Sequence, residues 1–170
     1  MTIGPIHEFL RRDHERLAEL LDASCRDGTI DLAAFHEFRA GILRHIGMEE
    51  KILLPAVKPL RGGEPLPIAR QMRLDHSALA ALLVPTPTPL IVERLRALLS
   101  VHNAMEEGDD GVYAQCEQIA GVEGQAMLDQ LLKAPPVKLA PYQDGPRAFA
   151  SIERLLLATG RGAWGSSAGA

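Results

Sequence analysis

The chain has 170 residues, of which 46% are apolar, 24% charged and 4% aromatic, and its formal net charge is −4. That length suits one domain with a sizeable core, and the mildly acidic balance leaves no electrostatic footprint for nucleic acid or an anionic membrane. No apolar run approaches the roughly 20 residues of a membrane span, and MTIGPIHEF lacks the basic-then-apolar order of a signal peptide, so a cytoplasmic location is expected.

Leucine and alanine dominate, and no stretch alternates convincingly with period two, so the elements are expected to be helices. The first is predicted from about Ile6 to Cys25, with Leu10, His14, Leu17 and Leu21 on one stripe and Gly28 as a stop. The second starts at Asp31 as N-cap and continues to about Val57, with Phe35, Phe38, Ile42, His45, Glu49 and Ile52 on its stripe. Pro55 and Pro59 are expected to close it, and RGGEP follows as a loop.

Pro67 opens the third helix, whose face carries Ile68, Met72, His76, Leu79 and Leu83. PTPTP, from Pro85 to Pro89, excludes helix. The fourth helix starts near Leu90 with Ile91, Leu95, Leu98, His102 and Glu106, and is read on towards Ile119 although Gly108 and Gly111 weaken it. Beyond it come a short helix over Val122 to Lys133, an extended APPVKLAPYQDGP, a helix over Arg147 to Ala158, and GRGAWGSSAGA as a frayed tail. The expected architecture is all-α: an up-down-up-down four-helix bundle with additional C-terminal helices. Residues 1–133 form the bundle and 134–170 an extension, free to pack on the bundle or to join two copies as a homodimer.

A polar residue interrupts each apolar stripe: His14 on the first, His45 with Glu49 on the second, His76 on the third, His102 with Glu106 on the fourth. A His and a Glu four residues apart lie one helical turn apart on the same face, so both side chains converge on one point. The frame His-x-x-Met-Glu-Glu occurs twice, at His45–Glu50 and His102–Glu107. Each copy is preceded by an Asp-His pair, Asp13-His14 in RRDHERL and Asp75-His76 in MRLDHSAL. A lone His on an apolar face is more often a hydrogen-bonded core residue than a ligand. Two buried glutamates with four histidines are another matter, because buried carboxylates are costly without a partner. Imidazole with carboxylate suits iron, zinc or manganese, and four His with two Glu suffice for two ions.

At these residues the chain resembles the hemerythrin-like (HHE cation-binding) family over about residues 6 to 119. The resemblance implies a four-helix bundle around two non-haem iron ions that take up O2 or a related small ligand. It assigns His14 and His45 to one iron, His76 and His102 to the other, and Glu49 and Glu106 as bridges. Oxygen-carrying members have a further His where this chain has Ala80, and a carboxylate five residues after the last His, where it has Glu107. The missing His leaves one more coordination position open, which argues against O2 carriage of the hemerythrin type.

Tyr113, seven residues after Glu106, and Asp110, four after it, are candidates to fill that open position, but Tyr113 reads better as a core residue with its hydroxyl at an edge and Asp110 as solvated. Glu50 and Glu107 are left between outer support of the site and the surface, while Asp13 and Asp75 are expected to orient a histidine on a neighbouring helix. Met48 and Met105 read as packing, His7 as a core-edge residue, His36 as solvated, and Cys25 and Cys116 as structural. The favoured function is binding or sensing of O2, nitric oxide, peroxide or iron. The alternatives are a di-iron enzyme acting on O2 or peroxide, and a bundle merely tied together by zinc or iron.

Overall fold

Each helix boundary in the chain has a local chemical cause. The computed structural model describes residues 3–161. Helix α1 (Pro5–Ala23) opens on Pro5, whose missing N–H costs nothing in a first turn. It leads into two paired two-residue strands, β1 (Cys25–Arg26) and β2 (Thr29–Ile30). Asp27 and Gly28 turn between them with φ of 50° and 74°, the left-handed pair that a tight hairpin requires. Gly28 therefore serves a hairpin, and the absence of strands expected from the sequence fails at this one turn.

Asp31 caps α2 (Leu32–Met48) by accepting from the Ala33 and Ala34 N–H groups at 2.9 and 3.0 Å. Helix continues without a break through one wide π turn (Glu49–Leu53) into α3 (Leu54–Leu60). Pro55 thus does not interrupt the helix, which ends at Leu60, one residue after Pro59 and just past the expected end near Val57. The Leu54 N–H bonds back to the Glu49 carbonyl, five residues earlier, so Pro55 enters where the hydrogen-bond register is already shifted and acts as the first turn of α3.

Pro67 sits in the turn before α4 (Ala69–Leu82), and Thr88 Oγ1 accepts the Ile91 N–H at the head of α5 (Pro89–Glu107). The fourth helix does not run on to Ile119: it breaks over residues 108–111 and restarts as α6 (Val112–Ala120). A short 3-10 turn (Gly121–Glu123) joins it to α7 (Gly124–Leu132), and α8 (Pro146–Ala158) follows an extended segment. Among the described residues the fold is all-α apart from the small hairpin.

Two apolar clusters make the core. One gathers Leu17, Leu21, Phe35, Phe38, Ile42, Leu79, Leu95 and Leu98. The other gathers Ile6, Leu10, Met48, Leu53, Met72, Val112 and Cys116. On α1 the order is second cluster, His14, first cluster; on α2 it is the reverse, with His45 and Glu49 at the crossing. His76 on α4 likewise lies between Met72 and Leu79. A buried polar band therefore separates two greasy ends, and these helices cross it.

The extension folds back on its own chain. Helix α8 packs on α4 and contributes Ile152 and Leu156 to the first cluster. Arg39 donates to the Ala140 carbonyl at 2.9 Å and lies 4.4 Å over the Tyr142 ring, and the Gln143 N–H reaches the Val84 carbonyl at 2.9 Å. Arg161, expected in a frayed tail, is instead bonded to Asp75 Oδ2 at 2.6 Å; residues 162–170 of that tail lie outside the described residues. Among the described residues no helix is long and apolar enough to cross a membrane.

Candidate metal centre

Four helices each deliver a donor to the polar band: α1 gives His14, α4 gives His76, α2 gives His45, and α5 gives His102 and Glu106. Glu49 comes from the first position of the π turn, directly after α2. All six are at most 4% exposed. Their donor atoms fall into two groups, His14, His45, Glu49 and Glu106, and His76, His102, Glu49 and Glu106; within each, atoms lie within 4.8 Å of one another. Both glutamates belong to both groups. Glu49 turns Oε1 towards His45 (3.5 Å) and Oε2 towards His76 (3.2 Å). Glu106 turns Oε2 towards His14 (3.5 Å) and Oε1 towards His102 (3.0 Å). Each carboxylate spans the two imidazole pairs with one oxygen apiece.

Behind every imidazole stands another carboxylate at its outer nitrogen. Asp13 Oδ2 lies 2.8 Å from His45 Nδ1, and Asp75 Oδ2 lies 3.2 Å from His102 Nδ1. Glu107 Oε1 is 2.6 Å from His14 Nδ1 and Glu50 Oε1 is 2.8 Å from His76 Nδ1. The aspartates serve the paired histidine of their own half, while the second Glu of each frame crosses to the lone histidine of the other half. An ionised carboxylate only accepts, so each Nδ1 carries a proton, and each Nε2 faces inward, where it offers a lone pair once a metal takes the place of its own proton. Glu50 and Glu107 are thus resolved as supports of the site rather than surface residues, a role the repeated Glu-Glu spelling signalled.

The sequence reading weighed Tyr113 as a donor but set it aside, and the structure puts it at the centre of the band. Tyr113 is fully buried, and its hydroxyl lies 2.6 Å from Glu49 Oε1, 3.2 Å from Glu106 Oε2, 3.1 Å from His14 Nε2 and 3.2 Å from His45 Nε2. Its hydroxyl is in the middle, not at an edge. On a continuous helix Tyr113 would start roughly 10 Å beyond Glu106 along the axis. The break over residues 108–111 removes that rise and brings α6 back against α1 and α5. Gly111 permits the turn, since a Cβ there would sit 2.5 Å from the Glu106 carbonyl oxygen. The two glycines were the available signal.

The electrostatics favour a cation. Burial opposes charge on His45, but Glu49 and Asp13 outweigh it and push the imidazole up to about 10. His76, against Glu106 and Glu49, is likewise pushed up to about 10 despite burial, and His102, against Glu106 and Asp75, to about 9. Burial would raise Glu49, yet His45 and His76 hold it well below the usual carboxylate range. Protons on imidazole therefore balance the buried carboxylates when nothing else does. Burial and the neighbouring Glu106 and Glu49 charges hold the Tyr113 phenol well above its ordinary value.

The donor set fits a metal on geometry as well. Glu49 Oε2 and Glu106 Oε1 are buried without a hydrogen bond among the described residues, although His76 and His102 nitrogens lie 3.2 and 3.0 Å from them. The distances are short but the directions are wrong for hydrogen bonds. His76 Nε2 and His102 Nε2 also face each other at 3.1 Å, while their Nδ1 atoms are committed to Glu50 and Asp75. Atoms aimed at a common point rather than at one another are what a cation between them requires.

Elsewhere, His36 and Asp110 are exposed as expected, and Met48 packs in the second cluster with Met105 against it. His7 is buried with its ring edge-on to Tyr113 at 5.7 Å, further inside than expected. Both cysteines are free; burial pushes the Cys116 thiol up to about 12, which leaves it unreactive. A cavity of about 220 Å³ between α1, α2 and α5 reaches His14 past Leu17, Leu21, Ile42 and Leu99.

Compared with models of protein families, residues 6–132 match the hemerythrin HHE cation binding domain. Comparison with curated proteins and with solved structures gave no match.

Proposed function

The chain belongs to the hemerythrin HHE cation-binding family, and from that premise we propose that its polar band is a binuclear non-haem iron centre that binds a small ligand such as O2, nitric oxide or peroxide. One observation carries the reading: Glu49 and Glu106 each give one oxygen to each imidazole pair, the arrangement that two ions sharing two carboxylates need. His14 and His45 hold one ion, His76 and His102 the other.

Bound iron supplies an electron-rich, redox-active position for a small oxidising or π-accepting ligand. The chain's residues do the rest. Asp13, Asp75, Glu50 and Glu107 fix the four imidazole rings with Nε2 inward. The apolar clusters on either side keep bulk water out, and the mostly apolar lining of the cavity at His14 suits a small neutral molecule better than a charged substrate.

Anaerobic loading with ferrous iron followed by metal analysis tests the reading. Two irons per chain are expected, reduced below one by Glu49→Ala with Glu106→Ala. Two metals retained by that double variant would sink the assignment, and a purified chain that takes up zinc alone would sink the iron reading.

A further inference from the structure

The two halves of the band are unequal, and the difference is one side chain. In the His76–His102 half the inward carboxylate oxygens, Glu49 Oε2 and Glu106 Oε1, have no hydrogen-bonding partner among the described residues. In the His14–His45 half the corresponding oxygens both meet the Tyr113 hydroxyl, at 2.6 and 3.2 Å. We propose that the Tyr113 oxygen is a fifth donor to the ion held by His14 and His45, which makes the two metal positions chemically distinct. The inference rests on the binuclear iron reading above.

A phenol has one proton and donates one hydrogen bond. The shortest contact, to Glu49 Oε1, takes it. With the inner nitrogens unprotonated, as metal binding requires, the remaining contacts, to His14 Nε2, His45 Nε2 and Glu106 Oε2 at 3.1 to 3.2 Å, are oxygen against lone pairs, because Nδ1 of each ring is committed to Glu107 or Asp13. A hydroxyl gathered among four acceptors is a poor hydrogen-bonding arrangement and a good coordination one. Two donors about 2.1 Å from one ion and at right angles to each other lie about 3 Å apart, and the Tyr113 oxygen stands near that spacing from His14, His45 and Glu106 and closer, at 2.6 Å, to Glu49.

The placement is built into the backbone. The break over residues 108–111 aims the ring inward, and His7 backs it edge-on. On coordination the O–H bond breaks, the oxygen–metal bond forms, and one proton leaves to solvent. In the other half no tyrosine, serine or threonine hydroxyl meets the inward atoms among the described residues, and Ala80 stands one turn after His76. That half keeps the free position.

The test is spectroscopic. The chain is loaded with two ferrous ions, oxidised with ferricyanide, and examined by visible absorption and resonance Raman. A phenolate-to-ferric charge-transfer band is expected, with ring vibrations that shift when the protein is grown on ring-deuterated tyrosine. Tyr142→Phe keeps the band and Tyr113→Phe loses it while still binding two irons. The labelled wild-type chain needs no variant, so a misfolded Tyr113→Phe does not spare the inference. Two irons bound without tyrosine vibrations overturns this inference and leaves the binuclear reading standing; a chain that binds no iron overturns both.

Discussion

At the scale of single residues, the site is two layers of opposed charge. The inner layer offers lone pairs, and the outer carboxylates decide which nitrogen of each imidazole offers one. Asp13 and Asp75 are both held below the ordinary aspartate range: burial would raise them, but the hydrogen bonds from His45 and His102 outweigh it. Their charge is therefore present at any working pH and strengthens the donor in front of it. Removing it by Asp13→Asn or Asp75→Asn should lower metal affinity about 10–100-fold, as read by competition with a chelator of known affinity. Unchanged affinity in both variants would mean that the rings are oriented by packing alone. Asp75 also carries Arg161 at 2.6 Å, whereas Asp13 carries Arg16 at 2.7 Å on a more exposed surface, so the two supports are not electrically equal.

At the scale of elements, two irregular segments shape the site. The π turn at Glu49–Leu53 shifts the register of the helix running from α2 into α3 just where Glu49 and Glu50 must meet opposite nitrogens of His76, Nε2 and Nδ1. The break over residues 108–111 does the corresponding work after α5 by sending Tyr113 inward. Gly111→Ala would press a methyl group on the Glu106 backbone, with neighbouring contacts at 2.5 and 2.8 Å, and neither partner is a flexible side-chain tip. A loss of about 1–3 kcal/mol of stability is expected in denaturant unfolding, together with loss of the Tyr113 signature. Wild-type stability in this variant would show that α6 can be displaced without consequence. Glu117 ties the same segment to α1 by accepting the Ile6 and His7 N–H groups at 2.9 and 3.1 Å.

At the scale of the whole molecule, a buried ionic band lies between two apolar clusters, and its charge balance couples metal, proton and stability. In the metal-free chain His45 and His76 stand at about 10 and His102 at about 9, against an ordinary 6.5. A raised folded-state value means that the stabilisation is fully present below the ordinary value and is lost as pH rises through the folded one. The melting temperature of chelator-treated protein should thus fall between pH 7 and pH 10, and metal loading should remove most of that fall; a flat metal-free profile would contradict the balance. The sequence by itself determined where most helices lie, though not the π turn or the break after Glu107, together with the six polar stripe residues and their twofold spelling, because stripe periodicity and four-residue spacing are local properties of a helix. Even the aspartate supports followed from the Asp-His pairs. Only the tertiary structure decided the partners of Glu50 and Glu107, which lie on helices distant in sequence, and the inward turn of Tyr113, which depends on a break whose angle no periodicity encodes. It also decided that Arg161 returns to Asp75, a contact set by how α8 packs on α4. Spacing along one helix is written in the chain, whereas the meeting of separate helices depends on packing, and this site needs both.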